Sequence, residues 1–165
     1  GSGGSEVAYE PLEKTKTREQ IMTDFVDMAA SELHSKNVKL GIDVFGSIVW
    51  NKGFDGRIIG QNVSELSKYA DVLYPMVYPS HFGPGYAGHK NPGDEPYFFV
   101  NETIKMFQKE MVGHRAVLRP WLQAFPYRVS NFNKHYVDEQ VRALKDLGII
   151  EYALWSPGNR YGDLF

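Results

Sequence analysis

The stretch Val38-Lys39-Leu40-Gly41-Ile42-Asp43-Val44-Phe45, bounded by Asn37 and Gly46, is short and mostly apolar. A run of this kind between turn residues reads as a buried strand, and its neighbours decide the fold class. Before it, Thr17 and Gln20 have the spacing of a capping box, in which each side chain satisfies the other's free backbone amide. Ile21, Phe25, Met28, Ala29 and Leu33 follow at helical spacing, so a helix is expected to end near Lys36-Asn37. After the run comes a loop punctuated by Gly53, Gly56 and Gly60. Asn62 and Glu65 then repeat the capping-box spacing ahead of a short helix through Val63, Leu66 and Tyr69.

The same alternation continues to the end. Further strands are expected over 72–78, 116–125 and 149–155. A long loop from Pro79 to Pro96 leads into a helix through Val100, Ile104, Phe107 and Met111, with Pro96 placed where its missing N–H costs nothing. Asn133 or Asn131 caps a last helix carrying Tyr136, Val137, Val141, Leu144 and Leu147, which Gly148 stops. Strands alternating with helices imply an α/β fold with parallel pairing. Parallel strands are covered on both faces, which accounts for their near-continuous apolar character. Four of them make either a small open sheet or half of a closed barrel, and the pattern alone leaves both open. Residues 1–16, opening Gly1-Ser2-Gly3-Gly4-Ser5, read as a tag-like or loop segment ahead of one folded unit over 17–165.

Hydrophobic residues are 42% and charged residues 23% of the 165, enough apolar material for a core. A net charge of −2 with scattered Lys and Arg lacks the basic face of a nucleic-acid binder. No apolar run approaches the roughly 20 residues of a membrane span. The absence of Cys excludes disulfides, thiolate metal sites and a cysteine nucleophile. His89, His114 and His135 stand at no metal-ligand spacing with carboxylates, and neither a phosphate-cradling glycine loop nor a Gly-x-Ser-x-Gly elbow occurs. No metal and no organic cofactor is expected.

In either parallel architecture, ligands sit at the carboxyl ends of the strands, and the unusual residues of this chain gather there. Asp43 lies amid Ile42, Val44 and Phe45, where a carboxylate is costly unless hydrogen-bonded or chemically used. It is read as a catalytic carboxylate or as a structural one holding a loop. Tyr74, Met76 and Tyr78 share a face by the two-residue period of a strand. Tyr78, Ser80 and His81 then stand at the rim, His81 being either a hydroxyl-binding or proton-carrying group or a loop histidine. Pro75 conflicts with a central strand position. Arg119, Trp121 and Gln123 alternate onto one face as charge, stacking plane and amide. Arg119 is read as a ligand group or as a structural partner of Asp43. Trp155 adds an aromatic at the last strand. Fourteen per cent of the chain is aromatic, which suits stacking on sugar rings as well as a heavy core.

Gly41-Ile42-Asp43-Val44-Phe45-Gly46, Ile59-Gly60-Gln61, Tyr74-Pro75-Met76-Val77-Tyr78-Pro79-Ser80-His81 and Arg119-Pro120-Trp121-Leu122-Gln123-Ala124-Phe125 occur in this order. Together they resemble a bacterial family of glycoside-hydrolase-like (β/α)8 barrels of unknown function, over about residues 17 to 161. The resemblance implies that these strings are the fifth, sixth and seventh strand regions and Tyr152 to Trp155 the eighth, so that the chain is the C-terminal half of a TIM barrel. It also implies tolerance of Pro75, and an extracellular or cell-envelope location. The family's fourth strand, ending in an Asp-Tyr-x-Arg-Phe-Pro-type string, has no counterpart here.

The expected activity is hydrolysis or binding of a polysaccharide or glycan, with Asp43 as acid/base or nucleophile and its partner carboxyl on the absent strand. Asp94 or Glu95 in the long loop are distant candidates for that partner. Tyr78, Trp121 and Trp155 are expected to stack on sugar rings, and His81, Arg119 and Gln123 to bond hydroxyls. The chain by itself is expected to be inactive. The alternatives are a non-catalytic carbohydrate-binding or scaffold barrel, and a half-barrel that associates with a missing N-terminal half or with a second copy as a homodimer.

Overall fold

A computed structural model of the chain describes residues 15–164. The segment read as tag or loop lies, but for its last two residues, outside the described part. Helix α1 spans Arg18–His34 and opens with the expected capping box: Gln20 N–H donates to Thr17 Oγ1 (3.1 Å) and Thr17 N–H to Gln20 Oε1 (2.8 Å). Strand β1 is Gly41–Phe45. The glycine loop after it holds more helix than its composition suggests, with 3-10 turns and then α2 over Phe54–Ile59. Gly53 and Gly60 flank α2 at φ 72° and 80°, the left-handed region open to glycine. Helix α3 is Val63–Tyr69, with Glu65 N–H donating to the Asn62 cap (3.0 Å). Glu65 itself pairs with Lys68, so only half of the second capping box forms.

Strand β2 is Val72–Val77 and helix α4 Pro96–Glu110, with Pro96 in its first turn. The expected strand over 116–125 is two short pieces, β3 (Val117–Leu118) and β4 (Trp121–Gln123). Both pair with β2, on either side of a break that falls at Pro75 in β2 and Pro120 in its neighbour. Neither proline has an N–H to give the ladder, which explains how β2 keeps a proline in a central strand. Helix α5 spans Lys134–Lys145, capped by Asn133 rather than Asn131. Strand β5 is Ala153–Trp155, shorter than expected because pairing starts only where Ala153 N–H reaches the Pro120 carbonyl (2.9 Å).

The sheet runs β1-β2-(β3, β4)-β5, every pair parallel. Strand order follows chain order without reversal. A doubly wound sheet has a switch point where the order turns back; a barrel does not. This is half of a (β/α)8 barrel. Its outer face carries the core, with Val44, Leu73, Val77 and Leu122 fully buried under the helices. One cluster joins Leu66, Leu73 and Phe107, and a second joins Val77, Ile104, Leu122 and Leu144. The inner face is open, leaving Phe45 51%, Val117 48% and Trp155 44% exposed. Among the described residues no helix is long and apolar enough to cross a membrane.

Candidate functional site

The two-residue period sends Asp43, Tyr74, Met76, Arg119, Trp121, Gln123 and Trp155 to the inner face, opposite Val44, Leu73 and Leu122. Register then fixes which of them meet. Asp43 is paired with Tyr74, Met76 with Trp121, and Gln123 with Trp155. Barrel strands lie staggered, and the Trp121 indole N–H reaches across to donate to Asp43 Oδ1 at 2.8 Å. Trp155 stands edge-on to Trp121 at 6.0 Å, and Tyr74 lies 6.4 Å from it on the other side. A carboxylate and two large indoles therefore share one exposed wall of parallel strands.

Arg119 does not pair with Asp43. Its guanidinium forms a two-pronged contact with Glu151, Nε to Oε2 at 2.9 Å and a terminal nitrogen to Oε1 at 3.1 Å. Glu151, which precedes β5, was not singled out from sequence: an acidic residue beside exposed Ile150 carries no pattern that marks it. Gln123 is wholly buried, and its amide is spent on the rim. Its Oε1 accepts from Ser80 N–H (3.1 Å), while its Nε2 donates to the carbonyls of Phe125 (2.9 Å) and Tyr127 (3.3 Å). It thus clamps the loop after β2 to the loop after β4. Behind it, Gln140 of α5 exchanges two 2.9 Å hydrogen bonds with the Gln123 backbone.

At the carboxyl end of β1 and β2, Phe45, Gly46, Met76, Tyr78, His81 and Phe82 line a recess of about 220 Å³. Gly46 makes room there, since a Cβ at that position would sit 2.7 Å from the Met76 carbonyl oxygen. Tyr78 is almost buried, edge-on to His81 (5.2 Å) and Phe125 (5.5 Å). Burial pushes its phenol well above the usual tyrosine range, and the negative charge of Asp43 adds to this. Burial also lowers the His81 imidazole below its ordinary value, helped by the nearby Arg128 cation. A second hollow of about 460 Å³ lies at the ends of β4 and β5, with Phe125, Phe132 and Arg160 among its walls.

Asp94 and Glu95 stand apart from this wall. They line a separate hollow with Tyr97, His135 and Tyr136, between the starts of α4 and α5. Asp94 accepts from Ser130 N–H and Oγ, both at 2.7 Å, and from Asn91 at 2.6 Å. Burial acts to raise its carboxyl, but these bonds hold it below the usual carboxylate range. It pins a loop.

The half-barrel thus carries a carboxylate and aromatic side chains together on its inner wall. A family model described as "Putative glycosyl hydrolase domain" matches residues 2–161, and the chain belongs to that family. Its fold is similar to that of the glycoside hydrolase domain of PgaB (BpsB) from Bordetella bronchiseptica. The TM-score is 0.58 at 15% identity, with 84% of this chain and 37% of that one covered. The chain thus spans little more than a third of that solved relative. No curated protein matches it significantly.

Proposed function

We propose that this chain supplies one wall of a glycoside hydrolase site acting on a polysaccharide or other glycan, with Asp43 as one of its two reacting carboxyl groups. The contact between Asp43 and the Trp121 N–H on an open wall of parallel strands carries this reading. Most glycosidases place two carboxyl groups about the scissile bond, one protonating the leaving oxygen and the other attacking or activating water. Trp121 fixes one oxygen of Asp43 and leaves the other to the cleft. Trp155, Trp121 and Tyr78 offer ring faces and edges to sugars, and His81 a polar group at the recess. Glu151, gripped by Arg119, and Asp94, gripped by Ser130 and Asn91, are occupied elsewhere. The second reacting carboxyl is assigned to strands outside these 165 residues.

The chain alone is then expected to bind oligosaccharides without cleaving them. The test pairs calorimetric titration against a panel of neutral and charged oligosaccharides with an assay for released reducing ends. Turnover by the purified chain that disappears in Asp43→Asn would show a complete site and overturn the half-site view. Absence of all glycan binding would remove the reading itself. A non-catalytic carbohydrate-binding barrel is separated from it by the longer protein: two carboxyl groups about 5 to 10 Å apart at the mouth mark an enzyme.

A further inference from the structure

The loop after β4 holds an arginine in a backbone conformation that arginine seldom takes. Arg128 has φ 49°, in the left-handed region where a Cβ is crowded. Strain of this kind persists only where the surroundings over-determine it, and it clusters at ligand sites. Here the surroundings are explicit. On one side Gln123 Nε2 holds the Tyr127 carbonyl (3.3 Å), and on the other Asp94 holds both the N–H and the hydroxyl of Ser130 (2.7 Å each). Beneath, Gly93 lets the Arg128 carbonyl come close, since a Cβ there would lie 2.1 Å from that oxygen.

The side chain so fixed meets no acidic partner among the described residues. Among the described residues no ion pair includes Arg128, although Arg115, Arg119 and Arg142 each have one. Its guanidinium stacks on the Tyr127 ring, 5.0 Å from the centroid. Tyr127 in turn stands edge-on to His81 at 6.0 Å, and His81 lines the recess. The cation acts on that imidazole, lowering its proton affinity. Arg160 in the adjoining hollow is also without an ion pair among the described residues. The loop that meets the recess through the Tyr127–His81 contact therefore carries a cation outside any ion pair among the described residues, while the chain as a whole is slightly acidic.

We infer that Arg128, stacked on Tyr127 beside His81 of the recess, is an anion-binding subsite that selects glycans bearing a carboxylate or sulfate substituent. The guanidinium fork matches either group with two parallel hydrogen bonds, and stacking on Tyr127 holds its plane in place beforehand. The inference rests on the glycan site proposed above.

Its test is calorimetric titration of the full chain with matched pairs: oligogalacturonate against its methyl ester, and sulfated against unsulfated chito-oligosaccharide. The charged member of at least one pair is expected to bind about tenfold more tightly than its neutral counterpart. Which pair shows the difference identifies the substituent. Arg128→Gln should bring the two members level while leaving the neutral one unchanged. Arg128→Gly, which takes φ 49° without strain, should do the same with the loop undisturbed. Gly93→Ala, which displaces the Arg128 carbonyl but keeps the charge, should also lose the preference. Equal binding of both members, or a preference that survives Arg128→Gln, overturns the inference and leaves the glycan site standing. If no member of either pair binds, the inference falls, and the glycan site falls with it only if the wider panel also shows no binding.

Discussion

Asp71, at the foot of β2, has a carboxylate held by three donors, and it lies at the mouth opposite the proposed site. It accepts from His34 Nε2 (2.7 Å), from Leu40 N–H (2.8 Å) and from Arg115. Burial alone would raise this carboxyl; the three donors outweigh it and hold the group far below the usual carboxylate range. A folded-state pKa below the unfolded one means that the unfolded chain binds more protons, so stability rises with pH. The contribution is complete at neutral pH and is lost as pH falls through the ordinary value of 3.8 and below. Removing the carboxylate leaves the Leu40 amide without a partner, at a cost of roughly 2 kcal/mol. The exposed half of the Arg115 pairing is screened and adds little. Urea unfolding of Asp71→Ala is expected to show that deficit in full at pH 7 and a somewhat smaller one near pH 3, where the unfolded carboxyl is largely protonated while the folded one is still ionised. An equal deficit at both values would mean that the charge is idle.

At the scale of elements, the two rims of the cleft are joined through one buried amide. Gln123→Leu keeps the volume and removes every bond to Ser80, Phe125 and Tyr127. Three backbone groups at the mouth lose their partner, which predicts about 2–3 kcal/mol of lost stability by thermal or urea unfolding and faster hydrogen exchange at Ser80. A variant as stable as the parent would mean that water replaces the amide freely. Phe107→Ala is the comparison in the core: a wholly buried ring beneath α4 should cost about 3–5 kcal/mol and leave exchange at the rim alone. Much of this was legible in the sequence. The capping box at Thr17, the parallel alternation and the shared face of Arg119, Trp121 and Gln123 follow from local spacing. What was not legible depended on partners distant in the chain. The break at Arg119-Pro120 needed Pro75 on the neighbouring strand to line up with it. Arg119 turned to Glu151 rather than Asp43, and the amide of Gln123 served the loops, because side-chain partners depend on register and stagger as well as parity. Arg128 left no local sign, since its φ comes from Gln123, Asp94 and Gly93 acting together.

At the scale of the whole molecule, the open inner face is the largest unsettled account. Phe45, Val117 and Trp155, which share the face of Asp43, are all at least 40% exposed. They come from β1, β3 and β5 on one face of the sheet, while soluble monomers seldom leave contiguous apolar patches beyond a few hundred Å². Among the described residues the outer strands β1 and β5 each present an edge with no neighbour in the sheet, and such edges recruit further strands. Either another half-barrel of the same protein or a second copy of the chain would cover them, and a two-fold contact lets each copy cover the other. We therefore expect the isolated chain to dimerise in light scattering at micromolar concentration. Trp155→Lys and Phe45→Lys, which set charge on that face without touching the core under the helices, should shift it toward monomer. A clean monomer across that range would show that the exposed wall is tolerated in water. In a dimer that closes face to face, the Asp43 walls of both copies would line one interior, and oligosaccharides should then compete with dimerisation. Dissociation on adding a bound oligosaccharide would place the glycan and the partner on the same surface; a dimer indifferent to saturating sugar would place the contact along the strand edges instead.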